Sequence, residues 1–478
     1  MHGNGMKKDL LADLRAGKEL SRRQQLSLTA RLSLPPVLAQ LSSVVMQYID
    51  AAMVGRLGAG DAASVGLVSS TSWLFLGLTE AINVGFTVLI AQNIGAGEEE
   101  KARRMIKQGL WTALIWSSLL AAVGAVISTP LPHWLGAEEA LCQAASRYFL
   151  IYALSVPVIQ ISSMAAGMLQ ASGNMRTPGI SMVVMCALDV VFNAILIFPP
   201  HEFHGLPVFG FGWGVTGAAL GTLLARLAVG IFLLFCLLRR SPILHLRKGE
   251  RSRYSPHLSR QSGKIALPVA LERVIMCMAQ IVSTAIVAPL GTVAIAAHSF
   301  AITAESLCYM PGYGIQAAAT TVVGQSFGAK RGDMAYRLGW LAVLLGMLVM
   351  AGTGVFLYVA APWMLGILSP DKEVVALGAE MLRIEAFAEP FYAASIVAYG
   401  VFQGMGNTLI PTALNFASMW GIRIPLSVLL VRKFDLKGVW LGMCIELIAR
   451  GCIFLLYMCC RRRKDGNNHT SAAQTLPI

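Results

Sequence analysis

The chain has 478 residues, 56% of them hydrophobic and only 13% charged, against about 25% charged in an ordinary soluble domain, which excludes a water-soluble globular body. The formal net charge of +13 does not point to nucleic acid, because the basic residues sit between apolar runs and at the two ends, where a membrane accounts for them. Long apolar runs, each near the ~20 residues a helix needs to cross hydrocarbon, exclude a transmembrane barrel, whose mark is short alternating segments.

Residues 1–33 form a polar, basic arm with no apolar core and no small-residue cleavage site. It is not a cleavable signal peptide, so the first membrane helix must act as the insertion signal. Before Arg31 the arm is expected to lie on the membrane surface as an amphipathic helix. Twelve apolar runs follow, at 34–55, 62–94, 105–127, 141–169, 178–198, 214–238, 265–288, 293–323, 338–360, 374–405, 409–430 and 438–460. They predict an all-α membrane protein of twelve transmembrane helices. The second, fourth, eighth and tenth runs are longer than a crossing requires, which calls for tilt or projection past the bilayer.

Lys and Arg set the orientation. They crowd the N-terminal arm, loop 2–3 (Lys101, Arg103, Arg104, Lys107), loop 6–7 and the tail (Arg461, Arg462, Arg463, Lys464), and are missing from loops 3–4, 5–6 and 7–8. Both termini are therefore expected in the cytoplasm of a multi-pass cell (inner) membrane protein. Loop 11–12, with Arg432, Lys433 and Lys437, runs against the pattern.

An internal repeat organises the chain. A shift of 233 residues carries Leu34-Pro35 onto Leu267-Pro268, AQNIGAG (Ala91–Gly97) onto GQSFGAK (Gly324–Lys330), and LQASGNMRTP (Leu169–Pro178) onto FQGMGNTLIP (Phe402–Pro411). Later the shift shrinks, and Gly214 pairs with Gly438 and Arg226 with Arg450. Two parallel six-helix halves follow: an N-lobe at 34–238 and a C-lobe at 265–460, joined by a basic cytoplasmic linker at 239–264 and followed by a tail at 461–478. Such a duplication suits two lobes that rock about a central cavity. No Walker motif, GxSxG, HExxH or pore-loop filter occurs, so neither an enzyme nor a cofactor is expected. All nine cysteines except Cys142 lie in or at the edges of apolar runs, and no CxxC occurs, so reduced, packed thiols are expected.

Charges at bilayer depth cost at least about 2.5–3.5 kcal/mol on the insertion scale and are kept for function. Asp50 lies roughly 22 Å beyond Pro35 at the helical rise. Asp189 and Asn193, four apart in the fifth run, share a helix face. Thr222, about 12 Å down the sixth run, reaches a similar depth. Asp50, Asp189, Asn193 and Thr222 thus form a candidate oxygen-rich cluster for Na⁺ or a shared proton. The repeat replaces Asp50 by Ser283 in the C-lobe, which carries Glu272, Glu305, Glu385, Glu389 and Glu446 instead. Glu305, Glu385 and Glu389 are candidates to line a cavity. Glu272, near its helix start, could serve function or pair with a loop base. The equivalent Arg226 and Arg450 suit a structural role, such as neutralising buried acids. Glu80, Arg423 and His298 are too isolated to assign and suit satisfied buried groups.

From Leu32 to Cys460 the chain resembles the MATE (multidrug and toxic compound extrusion) transporters. The resemblance rests on YIDAAMVGRLG (Tyr48–Gly58), AQNIGAGE (Ala91–Glu98), QASGNMRTP (Gln170–Pro178), GVTGAALGT (Gly214–Thr222), LPVALE (Leu267–Glu272), APLGTVAIAAH (Ala288–His298), PGYGIQAAATTVVGQSFGA (Pro311–Ala329) and QGMGNT (Gln403–Thr408). It implies two lobes in a V and export of amphipathic, often cationic compounds in exchange for Na⁺ or H⁺. In the DinF-like branch the resemblance places coupling on an Asp of helix 1, an Asn and an Asp of helix 5 and a Thr of helix 6. Asp50 and Thr222 match, while Asp189 and Asn193 stand in reversed order. Pro35 matches the proline tied to bending of helix 1. The acids used by the NorM branch on helices 7 and 10 fall at Met276 and Tyr392 here, which favours the DinF-like comparison. The expectation is a monomeric secondary antiporter of small molecules that partners with the lipid bilayer and binds no nucleic acid. The alternatives are a flippase for a lipid-linked sugar or other polar lipid, and a channel or receptor.

Overall fold

A computed structural model describes residues 10–203, 206–208, 210–245 and 254–473. Residues 246–253 of the expected linker, and the first nine and last five residues of the chain, lie outside the described residues. The helices are α1 (Leu10–Arg15), α2 (Arg22–Gly55), α3 (Ala59–Gly95), α4 (Glu99–Ile127), α5 (Leu131–Trp134), α6 (Glu139–Ala171), α7 (Arg176–Ile197) and α8 (Gly214–Phe235) in the first half. The second half holds α9 (Pro256–Val287), α10 (Thr292–Gly328), α11 (Gly332–Leu368), α12 (Lys372–Glu385), α13 (Glu389–Gly404), α14 (Leu409–Ser418) and α15 (Ile424–Ala473). A short antiparallel pair, His201–Phe203 with Leu206–Val208, sits in the loop between α7 and α8.

Helices dominate because hydrocarbon offers no water to an unpaired N–H or C=O, so each crossing segment must close its own hydrogen bonds. The start of α2 shows how sequence sets an end. Ser21 Oγ accepts from the Gln24 backbone N–H (3.3 Å), and the Gln24 side chain accepts from the Ser21 backbone N–H (2.9 Å), a reciprocal capping box. With that cap α2 begins a dozen residues before the apolar run.

Among the described residues ten helices are long and apolar enough to cross a membrane on length and composition alone. The twelve crossings are recovered once two departures from the expected pattern are understood. The tenth run was expected as a single helix, but it divides into α12 and α13 around Ala386–Ala388, because Pro390 in the first turn of α13 has no N–H for the preceding turn. The last two crossings run on in α15 and part at Asp435, whose φ of 50° and ψ of −134° lie outside the helical region.

Within the first half α6 packs against α3, α4 and α8, and α7 against α8; within the second, α10, α11 and α13 pack on one another, with α15 on α13. The first core centres on Phe86, Ile90, Ile106, Met164 and Met168, the second on Val343, Val397, Phe402 and Phe454. The halves meet through α2 with α10, α3 with α9, and α3 with α10.

Lipid tails are as apolar as leucine, so these contacts gain from close van der Waals approach rather than from burial, and small residues make that approach possible. At the end that carries the basic loops, a Cβ on Gly95 of α3 would strike the Gln325 carbonyl of α10, and one on Gly328 of α10 would strike the Gln92 carbonyl of α3.

The N-terminal arm departs from expectation. Leu11 and Leu14 of α1, with Leu20 and Leu28, are buried against Val322, Met334 and Leu338 of the second half, so the arm's apolar face is satisfied by protein rather than by the membrane surface.

Substituting Gly328→Leu forces apart α3 and α10, and overpacking of this kind costs typically 1–3 kcal/mol. A lower thermal midpoint in detergent is expected, whereas Gly352→Ala, which meets open space, leaves the midpoint unchanged.

Candidate functional site

In the first half α2, α7 and α8 bring three of the four predicted cluster residues to one place. Asn193, fully buried on α7, donates from Nδ2 to Asp50 Oδ1 of α2 (2.9 Å) and to Asp189 Oδ2 one turn away (3.1 Å). Both amide hydrogens are thereby used, and the amide bridges two carboxylates that would otherwise face each other unscreened. Asp189 is also fully buried, and Asp189 Oδ1 and Asn193 Oδ1 have no hydrogen-bond partner. Gly221 of α8 allows the approach, since a Cβ there would meet Asn193 Oδ1. Thr222, the next residue, is half-buried, and among the described residues no hydrogen bond links it to the other three. Arg226, one turn further on, acts electrostatically on both Asp50 and Glu80. Pro35 lies inside α2, which runs on through it, and packs on Gly179 of α7.

Glu80, which looked isolated in sequence, belongs to a polar chain that sequence reasoning missed. Asn83 Nδ2 donates to Glu80 Oε1 (3.3 Å), and Gln160 Nε2 of α6 donates to Asn83 Oδ1 (2.7 Å). The signal was present: Asn83 follows Glu80 by three, on one face, and Gln160 is an amide deep in an apolar run.

The second half builds a different interior. A cavity of about 170 Å³ is lined by Tyr309, Tyr313, Tyr392, Trp440, Glu305 and Arg423, among others, and Ser283, the repeat equivalent of Asp50, lies on its wall. Tyr309 stands with its ring centroid 6.0 Å from that of Tyr313 and 5.6 Å from that of Tyr392. Trp440 Nε1 donates to His298 Nδ1 (3.1 Å), so one ring nitrogen of the histidine is satisfied while its buried Nε2 has no partner.

Glu446 of α15 is fully buried and heavily paired. It accepts from Arg423 Nη2 (2.8 Å) and Nε (3.1 Å) and from the Ser418 hydroxyl. Arg450 Nε lies 3.1 Å from Glu446 Oε1 as an ion pair without an aligned N–H, and its guanidinium sits 5.3 Å from the Tyr392 ring centre. Arg450 is thus placed beside a buried acid.

Glu385 and Glu389 flank the break between α12 and α13, both buried, with all four carboxylate oxygens lacking a hydrogen-bond partner. Glu305 of α10 is buried on the cavity wall. Glu272 pairs with an amide rather than with a loop base: Asn415 Nδ2 donates to Glu272 Oε1 (2.6 Å). The segment holding Asn415 folds back on α9 through Thr408 and Thr412, whose hydroxyls donate to the Ile265 and Pro268 carbonyls. No loop lysine is needed there.

The MatE family model matches residues 35–195 and again 268–429. The chain belongs to the MatE family. The two matches begin 233 residues apart, the spacing of the repeat. The chain is 26% identical over 434 residues to the probable multidrug resistance protein NorM of Thermotoga maritima, covering 89% of this chain and 90% of that protein. It is 22% identical to the probable multidrug resistance protein YoeA of Bacillus subtilis, over 85% and 88% of the two chains. A solved Vibrio cholerae MATE transporter superposes with a TM-score of 0.85 at 20% identity, covering 92% of this chain and 98% of that one, which establishes a shared fold. The protein is a multi-pass membrane protein of this family.

Truncating Arg423→Ala leaves Glu446 with the Ser418 hydroxyl and the poorly aligned Arg450 as its partners. Breaking a buried pair costs roughly 3–5 kcal/mol, so a marked fall in the thermal midpoint in detergent is expected. The Arg423→Ala, Glu446→Gln double variant should recover part of that loss.

Proposed function

We propose that this protein is a secondary antiporter that exports amphipathic, cationic small molecules in exchange for Na⁺ or H⁺ by alternating access, with both termini in the cytoplasm of the cell membrane and the monomer as the working unit. The observation that carries the reading is the Asp50–Asn193–Asp189 bridge, with two further buried oxygens left unsatisfied beside it. An all-oxygen donor set of this kind suits a hard monovalent cation or a proton shared between two acids. The names of the relatives, multidrug resistance proteins, support the class of cargo.

Binding of the ion at Asp50 and Asp189 removes the repulsion that Asn193 only partly offsets. Coupling requires that the ion bind one arrangement of the lobes more tightly than the other. α2 supplies Asp50 and also contacts α10 of the opposite lobe, where Tyr48 Oη donates to the Thr303 carbonyl (2.9 Å). A change of packing at Asp50 is therefore carried by one helix to the lobe contact. The reversed order of Asp189 and Asn193 relative to the DinF-like pattern shifts charge by one turn, which makes ion preference the property most open to divergence here. In the second lobe, the aromatic wall of Tyr309, Tyr313 and Tyr392 with Glu305, Glu385 and Glu389 nearby suits an organic cation, by ring-face attraction and charge.

Flux of a fluorescent organic cation into or out of proteoliposomes, with Na⁺ and pH gradients imposed separately, tests the reading. The wild type is expected to concentrate the dye against its gradient, and Asp50→Asn to lose ion-driven flux by at least about tenfold, the size of a lost charge-assisted interaction, while still inserting. Full flux in Asp50→Asn sinks the proposal. Flux that never exceeds equilibration indicates a channel, and movement of a polar lipid in place of the dye indicates a flippase.

A further inference from the structure

The seam between the lobes at the basic end has a two-fold pattern of side-chain bonds that the ion site does not explain. Gln92 Nε2 of α3 donates to the Gly404 carbonyl at the end of α13 (2.9 Å), and Gln325 Nε2 of α10 donates to the Ala171 carbonyl at the end of α6 (2.7 Å). Residues 92 and 325, and 171 and 404, are related by the repeat shift of 233, so each lobe reaches across to the same point of the other. Both bonds lie beside the backbone contacts that Gly95 and Gly328 permit. Separation of the lobes at this end must break both.

Only the Gln325 bond carries the N-terminal arm. Arg15 Nε donates to Gln325 Oε1 (3.1 Å) in the second lobe, while Arg15 Nη2 donates to the Ser172 carbonyl (3.2 Å) in the first. One guanidinium thus spans the seam and orients the amide whose other end crosses it. The arm is itself tied down: Arg331 Nη1 donates to the Leu14 (3.3 Å) and Lys18 (2.9 Å) carbonyls. Leu11 lies over Gly173, whose φ of +92° holds the turn after α6 beneath it. Burial of Leu11 and Leu14 against Met334 and Leu338 anchors the helix to the second lobe. Arg15 is then the part of the arm that grips the first by hydrogen bonding, with Leu11 resting on it over Gly173.

We propose that α1 is a strap on the cytoplasmic gate: Arg15, clasping Gln325 and the Ser172 carbonyl, holds the lobes together at the cytoplasmic end and must let go before the cavity opens to the cytoplasm. The strap rests on the alternating-access reading above. It reinforces one of two otherwise equivalent amide latches, so its removal weakens the gate without abolishing it. The arm stays on the second lobe when the lobes part, because packing on Met334 and Leu338 and the Arg331 bonds hold it there, while Arg15 and the contact of Leu11 over Gly173 reach the first lobe.

Hydrogen–deuterium exchange on the full-length protein in nanodiscs tests this, following the segments around Gln92 and Gln325 with and without Na⁺ and at acidic and neutral pH. In the wild type, exchange at both segments is expected to respond to the driving ion. In Arg15→Ala, exchange there should rise about tenfold under all conditions, the loss expected for hydrogen bonds to a charged group, while the core of α6 stays protected as in the wild type. Arg15→Lys, which keeps the charge but has a single donor head, should fall between the two. A wild-type response with no difference in Arg15→Ala overturns the strap and leaves alternating access standing. A seam that responds to no ion overturns both, and a rise spread equally over α4 and α6 shows general destabilisation and also overturns the strap.

Discussion

Inside hydrocarbon a polar side chain has no water to turn to, and the placement of almost every charged group in this protein follows from that constraint. The first lobe meets it with an amide: Asn193 spends both its hydrogens on Asp50 and Asp189. The second lobe meets it with arginine. Counting from the paired dipeptides Gly214-Val215 and Gly438-Val439, Glu446 stands where Thr222 stands, and Arg450 where Arg226 stands. Glu446 is closed off by Arg423, Arg450 and Ser418. The duplicated fold thus holds an amide-bridged acid pair on α2 and α7 in one lobe and a self-neutralised ion network between Ser418, Arg423, Glu446 and Arg450 in the other.

The exceptions to the constraint are as informative as its rule. Asp189 Oδ1, Asn193 Oδ1 and the four oxygens of Glu385 and Glu389 are buried with no partner. Orphaned buried polar atoms are rare in native proteins because each costs about 1–3 kcal/mol, so they concentrate where a ligand or proton is meant to arrive. The six oxygens of Asp189, Asn193, Glu385 and Glu389 sit at two separate places, apart from other orphaned atoms such as Gln160 Oε1 and His298 Nε2. One is the α2–α7–α8 junction and the other is the break between α12 and α13, beside the aromatic cavity.

Between the lobes the physics changes. Lipid gives no hydrophobic drive for their association, so at its basic end the seam depends on backbone approach at Gly95 and Gly328 and on two amide bonds, with one arginine laid across. The large apolar cores, by contrast, lie within each lobe, around Phe86 and Met164 in one and Phe402 and Phe454 in the other. Each lobe accordingly has an apolar core of its own.

Composition and apolar run length settled the class, because only a helix can close its hydrogen bonds inside lipid. The shift of 233 residues revealed the duplication, which the two family matches repeat. Asp189 and Asn193 were legible as a pair because a helix puts i and i+4 on one face, and Asp50 because a lone acid in an apolar run is costly. Tertiary structure alone decided that Asn193 is the bridge, that Glu272 meets Asn415, and that Arg423, isolated in sequence, holds Glu446. It alone brought Gln160 to Asn83 and Arg15 to Gln325, residues 310 apart in the chain. Periodicity reports which face of one helix a residue occupies. It carries no information about which other helix that face will meet, and partner choice between helices is fixed only by how their surfaces pack.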